Sequence, residues 1–589
     1  MEFEYEKAVS IYNIRPQLKP YVFSMLLKAG GTFTDLLIPL IMGVLIDTGI
    51  ATGDTAMITR LCILMLVVAI ASLSMNLSGH YLSAHSTQAM GANMRDAIYK
   101  HIQGMTIASV DEVTTASLIT RNTNDVEHVI RTLLMVARMM MRAPIVAIGG
   151  TILALFIDPW LTLILLCGMI LLGTVSVSVY KVTRPIYARV QKSVDRMTAV
   201  LRENLDGIRV VKAFNKQDYE LGRFDEQSNE VRRHEVHAGM FNAFMSPAIA
   251  FISSLTTAVI LYAAGFRVES GGLKIGSVVT ILNYINMILN AMRTIPRMFM
   301  MFSRANTSAE RINEVLENNE HTTYGSESMP VKSTDGSPAP VLEFRHVTFR
   351  YPGANVDALY DVSFVIPQGK TLAVIGNTGA GKSTLMNLAL RLYEPTSGEI
   401  LFEGRDIRQY DRDTLARRIT AAMQQYNIFA MSIRDNILLD RPLDENKLRS
   451  AVESAQLGDM IDKLDGKFDY MIAQNGSNLS GGQKQRLSVA RTLYRDSDLV
   501  VLDDVSSALD YHTDLKLRRA LRENYQSAAV MLISQRIASV RSADQILVMH
   551  NGRAMGMGTH DWLAANCPTY REICLTQNVD IPEKGAVAV

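Results

Sequence analysis

Residues 371–392 read TLAVIGNTGAGKSTLMNLALRL, and this stretch decides the class of the chain. The β-rich run Thr371 to Ile375 leads into Gly376-Asn377-Thr378-Gly379-Ala380-Gly381-Lys382-Ser383-Thr384, and an apolar helical pattern follows at once. The spacing is G-x-x-x-x-G-K-[ST] in the strand, loop and helix setting that gives it meaning. Glycines let backbone N–H groups close around phosphate oxygens, and the start of the helix adds a favourable dipole. In such a loop Lys382 bridges the β- and γ-phosphates and Ser383 ligates Mg²⁺. The stretch therefore predicts an α/β P-loop domain that binds ATP with Mg²⁺.

Two elements downstream belong to the same chemistry. A second apolar strand, Leu499 to Leu502, ends in Asp503-Asp504 and places the Asp503 carboxylate where it can hold the metal. About twenty residues earlier stands Leu479-Ser480-Gly481-Gly482-Gln483. A Ser and two glycines opening a helix make another phosphate-binding N-terminus, although the P-loop already cradles the phosphates from its own side.

Upstream, short β-rich runs alternate with helical patterns from Val341 onward, and the preceding ENNEHTTYGSESMPVKSTDGSPAP (317–340) is rich in Ser, Thr, Gly and Pro. The expected division is a membrane domain over 1–316, a linker over 317–340 and the nucleotide-binding domain over 341–589. The first half supplies six apolar stretches, near 21–46, 59–82, 132–157, 159–180, 240–266 and 275–300. Each supplies the roughly 20 helical residues that a hydrocarbon core of about 30 Å needs. The links at 47–58 and around Asp158 carry no Lys or Arg, whereas 181–234 is rich in both, so the long connections 83–131 and 181–239 face the cytoplasm. Those connections read as helical, each arm reaching ~30 Å below the membrane if about 20 residues long.

Composition agrees. Lys plus Arg (59) and Asp plus Glu (58) nearly cancel, so no basic excess asks for nucleic acid. Charged residues are 20% and hydrophobic ones 48%, which places part of the chain among membrane lipids. Cys62, Cys167, Cys567 and Cys574 show neither CxxC nor zinc spacing. Met1 to Lys7 lacks the basic n-region of a signal peptide, and the expectation is an N-terminus that starts in the cytoplasm of a multi-pass plasma-membrane protein.

The order of motifs resembles the ATP-binding cassette (ABC) transporter family, as a half-transporter of the exporter type; it is most similar to the degenerate-site subunit of heterodimeric bacterial multidrug exporters. The resemblance implies an α-helical domain of six transmembrane helices with long intracellular extensions, fused to an ABC-type nucleotide-binding domain. It implies adenine stacking by Tyr351 in FRYPG, a Q-loop at Gln424 that serves catalysis and metal, and a D-loop Ser507-Ala508-Leu509-Asp510. Coupling helices are implied near 111–118 and 211–218. It also implies that Ser480, Gly481, Gly482 and Gln483 close on ATP bound to a second half-transporter subunit.

Two positions depart from the family pattern. Asp504 stands where most members carry Glu to orient the attacking water, which pulls the carboxylate back by ~1.5 Å, and misplacement on the order of 1 Å can cost about a hundredfold in rate. Gln535 stands where most carry His, and an amide can hydrogen-bond a phosphate oxygen but cannot hold a positive charge. The loop around Ser477 also departs from the usual acidic and basic pair. The residues leave open both a working base at Asp504 and a degenerate site that turns ATP over slowly. Function is expected to be ATP-driven export of amphipathic compounds, drugs, lipids or peptides; a nucleotide-sensing membrane regulator is the alternative. Asp35, Arg138 and Arg142 are candidate cavity residues, and methionines at 139–141, 287, 292, 298, 300 and 301 suit an adaptable apolar pocket.

Overall fold

Helix Arg15–Val44 opens the described part of the chain; the computed structural model describes residues 15–292, 295–318, 322–326, 340–506, 509 and 511–579. Two compact units emerge, one of residues 1–103 with 115–318, the other of 104–114 with 319–589.

The first unit is helical. Five segments are long and apolar enough to cross a membrane, at 16–50, 55–104, 115–157, 250–269 and 275–292, and a shorter apolar helix covers Pro159–Val175 within the fourth expected span. Apolar side chains such as Phe156, 84% exposed, cover the outside, as expected where lipid is the solvent. Inside, Tyr284 is fully buried and its hydroxyl donates to the Leu36 carbonyl at 2.8 Å. At Gly276 a Cβ would stand 2.1 Å from the Gly43 carbonyl oxygen, so only glycine lets helices Arg15–Val44 and Ile275–Met292 approach there. Asp158 caps helix Pro159–Asp206 through the N–H groups of Trp160 and Leu161, and its other oxygen takes Arg267 at 2.7 Å.

The cytoplasmic connections are continuous with the spans. Helices Pro159–Asp206 and Gln217–Glu269 contain 48 and 53 residues. They run antiparallel, tied by Ser193 to His234, Arg196 to Glu230 and Arg223 to Glu203. The short turning helices lie at Ile107–Val113 and Ile208–Ala213, a few residues before the expected 111–118 and 211–218. Local chemistry sets the offset. Thr106 accepts from the Ser109 N–H and starts the first, Gly207 breaks the long helix before the second, and neither signal was weighed in placing them.

In the second unit ten strands form two sheets. They are β1 (Leu342–Phe349), β2 (Leu359–Ile366), β3 (Thr371–Gly376), β4 (Ser397–Phe402), β5 (Arg405–Asp406), β6 (Ile419–Ala422), β7 (Leu499–Asp503), β8 (Ala529–Ser534), β9 (Gln545–His550) and β10 (Arg553–Gly558). The first sheet is antiparallel, in the order β2-β1-β4-β5. The second runs β10-β9-β3-β8-β7-β6 and is parallel except for β10. β7 and β8 are buried throughout, which explains why their sequences read as continuous apolar runs instead of alternating. Part of the expected linker is docked on this unit. The buried Arg391 donates to the Thr323 carbonyl at 2.6 Å and lies over the Tyr324 ring, while the Gly325 N–H reaches the Tyr410 carbonyl. A buried guanidinium has five N–H groups to satisfy, and the linker backbone supplies acceptors.

Candidate nucleotide site

Sheet order assembles the site. β3, β8, β7 and β6 are parallel neighbours, so the segments that follow them emerge along one edge. The P-loop follows β3, Gln535 follows β8, Asp503 ends β7, and Gln424 lies two residues past β6. The carboxyl edge of a parallel sheet is where open α/β folds bind ligands.

The P-loop turns through Gly379 and Gly381, whose φ values of +81° and +94° disfavour any side chain. At Gly381 a Cβ would also meet the Ala358 carbonyl at 2.9 Å. Helix Lys382–Ala389 then begins with no side-chain cap. The Lys382 ammonium donates to the carbonyls of Gly376 and Asn377, both at 2.8 Å, and burial pushes its pKa below the ordinary lysine value while Asp503 and Asp504 oppose that shift.

Asp503 is 3% exposed, and burial holds its carboxyl above the usual range against a hydrogen bond from the Ser383 hydroxyl. A buried carboxylate beside a hydroxyl fits a hard cation that keeps water and phosphate among its ligands. Among the described residues no cluster of three or more His, Cys, Asp or Glu could hold a metal alone.

A cleft of about 560 Å³ joins Tyr351, Thr378, Gly379, Gly381, Lys382, Ser383, Thr384, Gln424, Asp503, Asp504 and Gln535. Gly376, Asn377 and Ala380 shape the loop from behind, the Ala380 N–H bonding the Asn377 carbonyl. The Tyr351 hydroxyl sits 3.2 Å from both Thr384 Oγ1 and Asn387 Nδ2, and its ring meets Tyr393 edge-on at 5.2 Å. The Tyr393 hydroxyl in turn donates to Asp111 on the turning helix Ile107–Val113, which belongs to this same unit.

Asp504 has a left-handed backbone, φ +48°. Its N–H donates to the Ile533 carbonyl at 2.9 Å and its own carbonyl accepts from Gln485 Nε2 at 3.0 Å. The main chain of residue 504 is thus held at both its N–H and its carbonyl. Gln535 is exposed at the cleft, its carbonyl accepting from Gln577.

Ser480, Gly481, Gly482 and Gln483 do not line this cleft. They open helix Gly481–Leu493, where the Ser480 hydroxyl accepts from the Gln483 N–H and Gln483 Oε1 accepts from the Ser480 N–H at 2.7 Å. That reciprocal cap engages the Ser480 and Gln483 N–H groups, and those of the two glycines in the first turn have no intrahelical acceptor. Asp510, with Ser507 and Ala508, lies outside the described residues.

Tyr360, Asn551 and Gly552 also line the cleft and were missed from sequence. The Gly552 N–H supports the loop through the Ala380 carbonyl, and the Gly552 carbonyl accepts from the Tyr360 N–H at 2.8 Å. The Asn551-Gly552 pair is a legible hairpin signal, but nothing in it marks a place beside the P-loop.

Comparison with known proteins agrees with this architecture. Residues 21–292 match the model of the ABC transporter transmembrane region and residues 359–507 that of the ABC transporter. The chain is 33% identical over 577 residues to an uncharacterized ABC transporter ATP-binding protein of Mycobacterium tuberculosis, covering 97% of this chain and 98% of that protein. An uncharacterized ABC transporter ATP-binding protein of Bacillus subtilis is 32% identical over 567 residues, covering 95% and 97%. The ATP-dependent lipid A-core flippase of Salmonella typhimurium is 30% identical over 485 residues, 82% of each chain. In three dimensions the chain is similar to a bacterial Atm1-family ABC exporter with ATP bound, with a TM-score of 0.77 over 95% of this chain and 99% of that one; at 19% identity this likeness speaks for the fold alone.

Proposed function

We propose, on the premise that this chain belongs to the ABC transporter family as an exporter-type half-transporter, that its own nucleotide pocket is a slow, degenerate site and that its Gly481–Leu493 helix completes a competent site on a second half-transporter. The observation that carries the reading is the pinned backbone of Asp504. Its carboxylate is one methylene short in a place where the main chain is held at both its N–H and its carbonyl, and Gln535 beside it offers no cationic form.

Lys382 and the P-loop N–H groups would bind the phosphates, Tyr351 would stack on the base, and Ser383 with Asp503 would hold Mg²⁺, with Gln424 lining the same cleft. Mg²⁺, when bound, neutralises phosphate charge. The first-turn glycine N–H groups of the Gly481–Leu493 helix lie outside the lining of this chain's own cleft and suit a phosphate held by another subunit. Binding energy then acts by favouring one conformation of the paired subunits over another. The cargo is an amphipathic compound. In inside-out vesicles containing both subunits, ATP should drive accumulation of a lipophilic dye; nucleotide binding with no accumulation would favour a regulator instead.

A lipid-type cargo is the second reading, and one cluster favours it. Asp35 accepts from the Ser72 hydroxyl and lies 3.6 Å from Arg142, Arg138 has a buried Nε, and Lys28 is only 4% exposed. Three cations against one carboxylate in a membrane unit suit an acidic headgroup, and the Salmonella relative is a lipid flippase by name. Of the methionines, 287 and 292 pack against the apolar core, while the side chains of Met298 and Met300 lie outside the described residues.

A further inference from the structure

The helix Pro568–Thr576 near the end of the described chain packs under the P-loop strand. Tyr570, Ile573 and Cys574 share a buried cluster with Ala373 and Ile375 of β3 and with Ile537. Immediately after this helix comes Gln577, exposed to solvent, with its N–H held by the carbonyls of Ile573 and Cys574, both at 3.2 Å. Both ends of its side-chain amide are engaged. Nε2 donates to the Gln535 carbonyl at 2.6 Å, and Oε1 accepts from the Ile537 N–H at 2.8 Å.

Those two contacts bracket Arg536. The Arg536 N–H donates to Ser534 Oγ, and its guanidinium donates to the Ser506 carbonyl at 3.2 Å. The segment 534–537 is therefore held from the core by Ser534 and Ser506, and Gln577 holds it from the solvent side. A primary amide is the group that can satisfy a backbone carbonyl and a backbone N–H two residues apart at once, because it carries a donor and an acceptor on one rigid plane. A purely structural role would be served by the apolar packing of Tyr570, Ile573 and Cys574, which needs no contact with residue 535.

We infer that Gln577 is a positioning residue that fixes the peptide of Gln535, and so the direction in which the Gln535 amide reaches toward the γ-phosphate. The end of the C-terminal helix is thereby part of the discrimination between ATP and ADP. This rests on the reading that Gln535 faces the γ-phosphate.

The test uses the full-length chain in lipid nanodiscs, with displacement of a trinitrophenyl-ATP probe by ATP and by ADP. Gln535→Ala should weaken ATP with ADP unchanged. Gln577→Met should do the same, by about fivefold to tenfold as expected for two lost hydrogen bonds. The double variant should be no weaker than the single ones. If Gln577→Met lowers ATP and ADP in parallel, or leaves both alone while Gln535→Ala is selective, the positioning role is overturned. If Gln535→Ala shows no selectivity, the reading of Gln535 itself fails, and a selective Gln577→Met effect would then have to act elsewhere, overturning the inference in its stated form. Should Gln577→Met not fold, Gln577→Glu keeps the acceptor for Ile537 and removes the donor to Gln535, and must show a partial, ATP-selective loss.

Discussion

Two helices of the nucleotide-binding domain start at glycines, and they are finished in opposite ways. Helix Lys382–Ala389 has no side-chain cap, and its first residues, Lys382, Ser383 and Thr384, are drawn into a cleft that the chain closes around them. Helix Gly481–Leu493 caps itself through Ser480 and Gln483 and stands outside that cleft. The first belongs to a socket, the cleft that also holds Asp504 and Gln535, and the second does not line it. The difference teaches that the pocket and the proposed clamp are separate parts of one domain, and each can be attacked alone.

The largest effect is expected from the socket. Lys382→Ala removes the one ammonium aimed at the loop, and charge-assisted contacts of this kind are worth enough together to weaken ATP by about a hundredfold or more. Equilibrium binding to the full-length chain measures it, and retention of near-normal affinity would remove the P-loop from the account. Gly481→Asp attacks the other helix. A Cβ there meets only the Tyr426 hydroxyl at 3.4 Å, an ordinary contact, and a carboxylate suits a helix N-terminus, so the helix should persist while repelling phosphate. Turnover by the two-subunit complex should fall by roughly a hundredfold, the scale of losing a preorganised donor to an anion, with binding at this chain's own pocket unchanged. Equal damage to both sites would erase the contrast between the helices.

A gain of function sharpens the same contrast. Asp504→Glu combined with Gln535→His should raise single-turnover hydrolysis at this chain's pocket by about tenfold to a hundredfold, because the carboxylate regains its reach on a main chain held by Ile533 and Gln485. An unchanged rate would mean that Asp504 already serves as a sufficient base.

The membrane stretches and the P-loop were legible because each is a local pattern. A run of apolar residues predicts a span, and β3 followed by G-x-x-x-x-G-K-S carries its own strand, loop and helix. Tyr360, Gly552 and Gln577 were not legible, since Tyr360 comes from β2 of the other sheet, Gly552 from the turn between β9 and β10, and Gln577 from the end of the helix Pro568–Thr576, all distant in sequence from the residues they meet. Nothing in REICLTQNV says that its Gln will meet a carbonyl 42 residues earlier. Arg391 escaped for a related reason: a buried guanidinium is recognised by its acceptors, and those are linker and loop carbonyls that a composition argument had left in solvent.

The smallest expected effect lies where the socket touches the turning helix. The Tyr393 ring packs edge-on against Tyr351, and its hydroxyl donates to Asp111, so one side chain reaches from the cleft-lining Tyr351 to the helix Ile107–Val113. Tyr393→Phe keeps the ring and deletes only the donor. Because the ring contact that steadies Tyr351 survives, ATP affinity should change by less than about twofold. Because a hydrogen bond to a carboxylate is worth somewhat more than a neutral one, the ATP-driven transport rate should drop by about threefold to tenfold. The comparison of the two quantities in one preparation decides the matter. A parallel fall in affinity and transport would make Tyr393 a prop for Tyr351, whereas transport that falls while affinity holds identifies the Asp111 contact as the route by which an occupied socket acts on the helices continuous with the membrane spans.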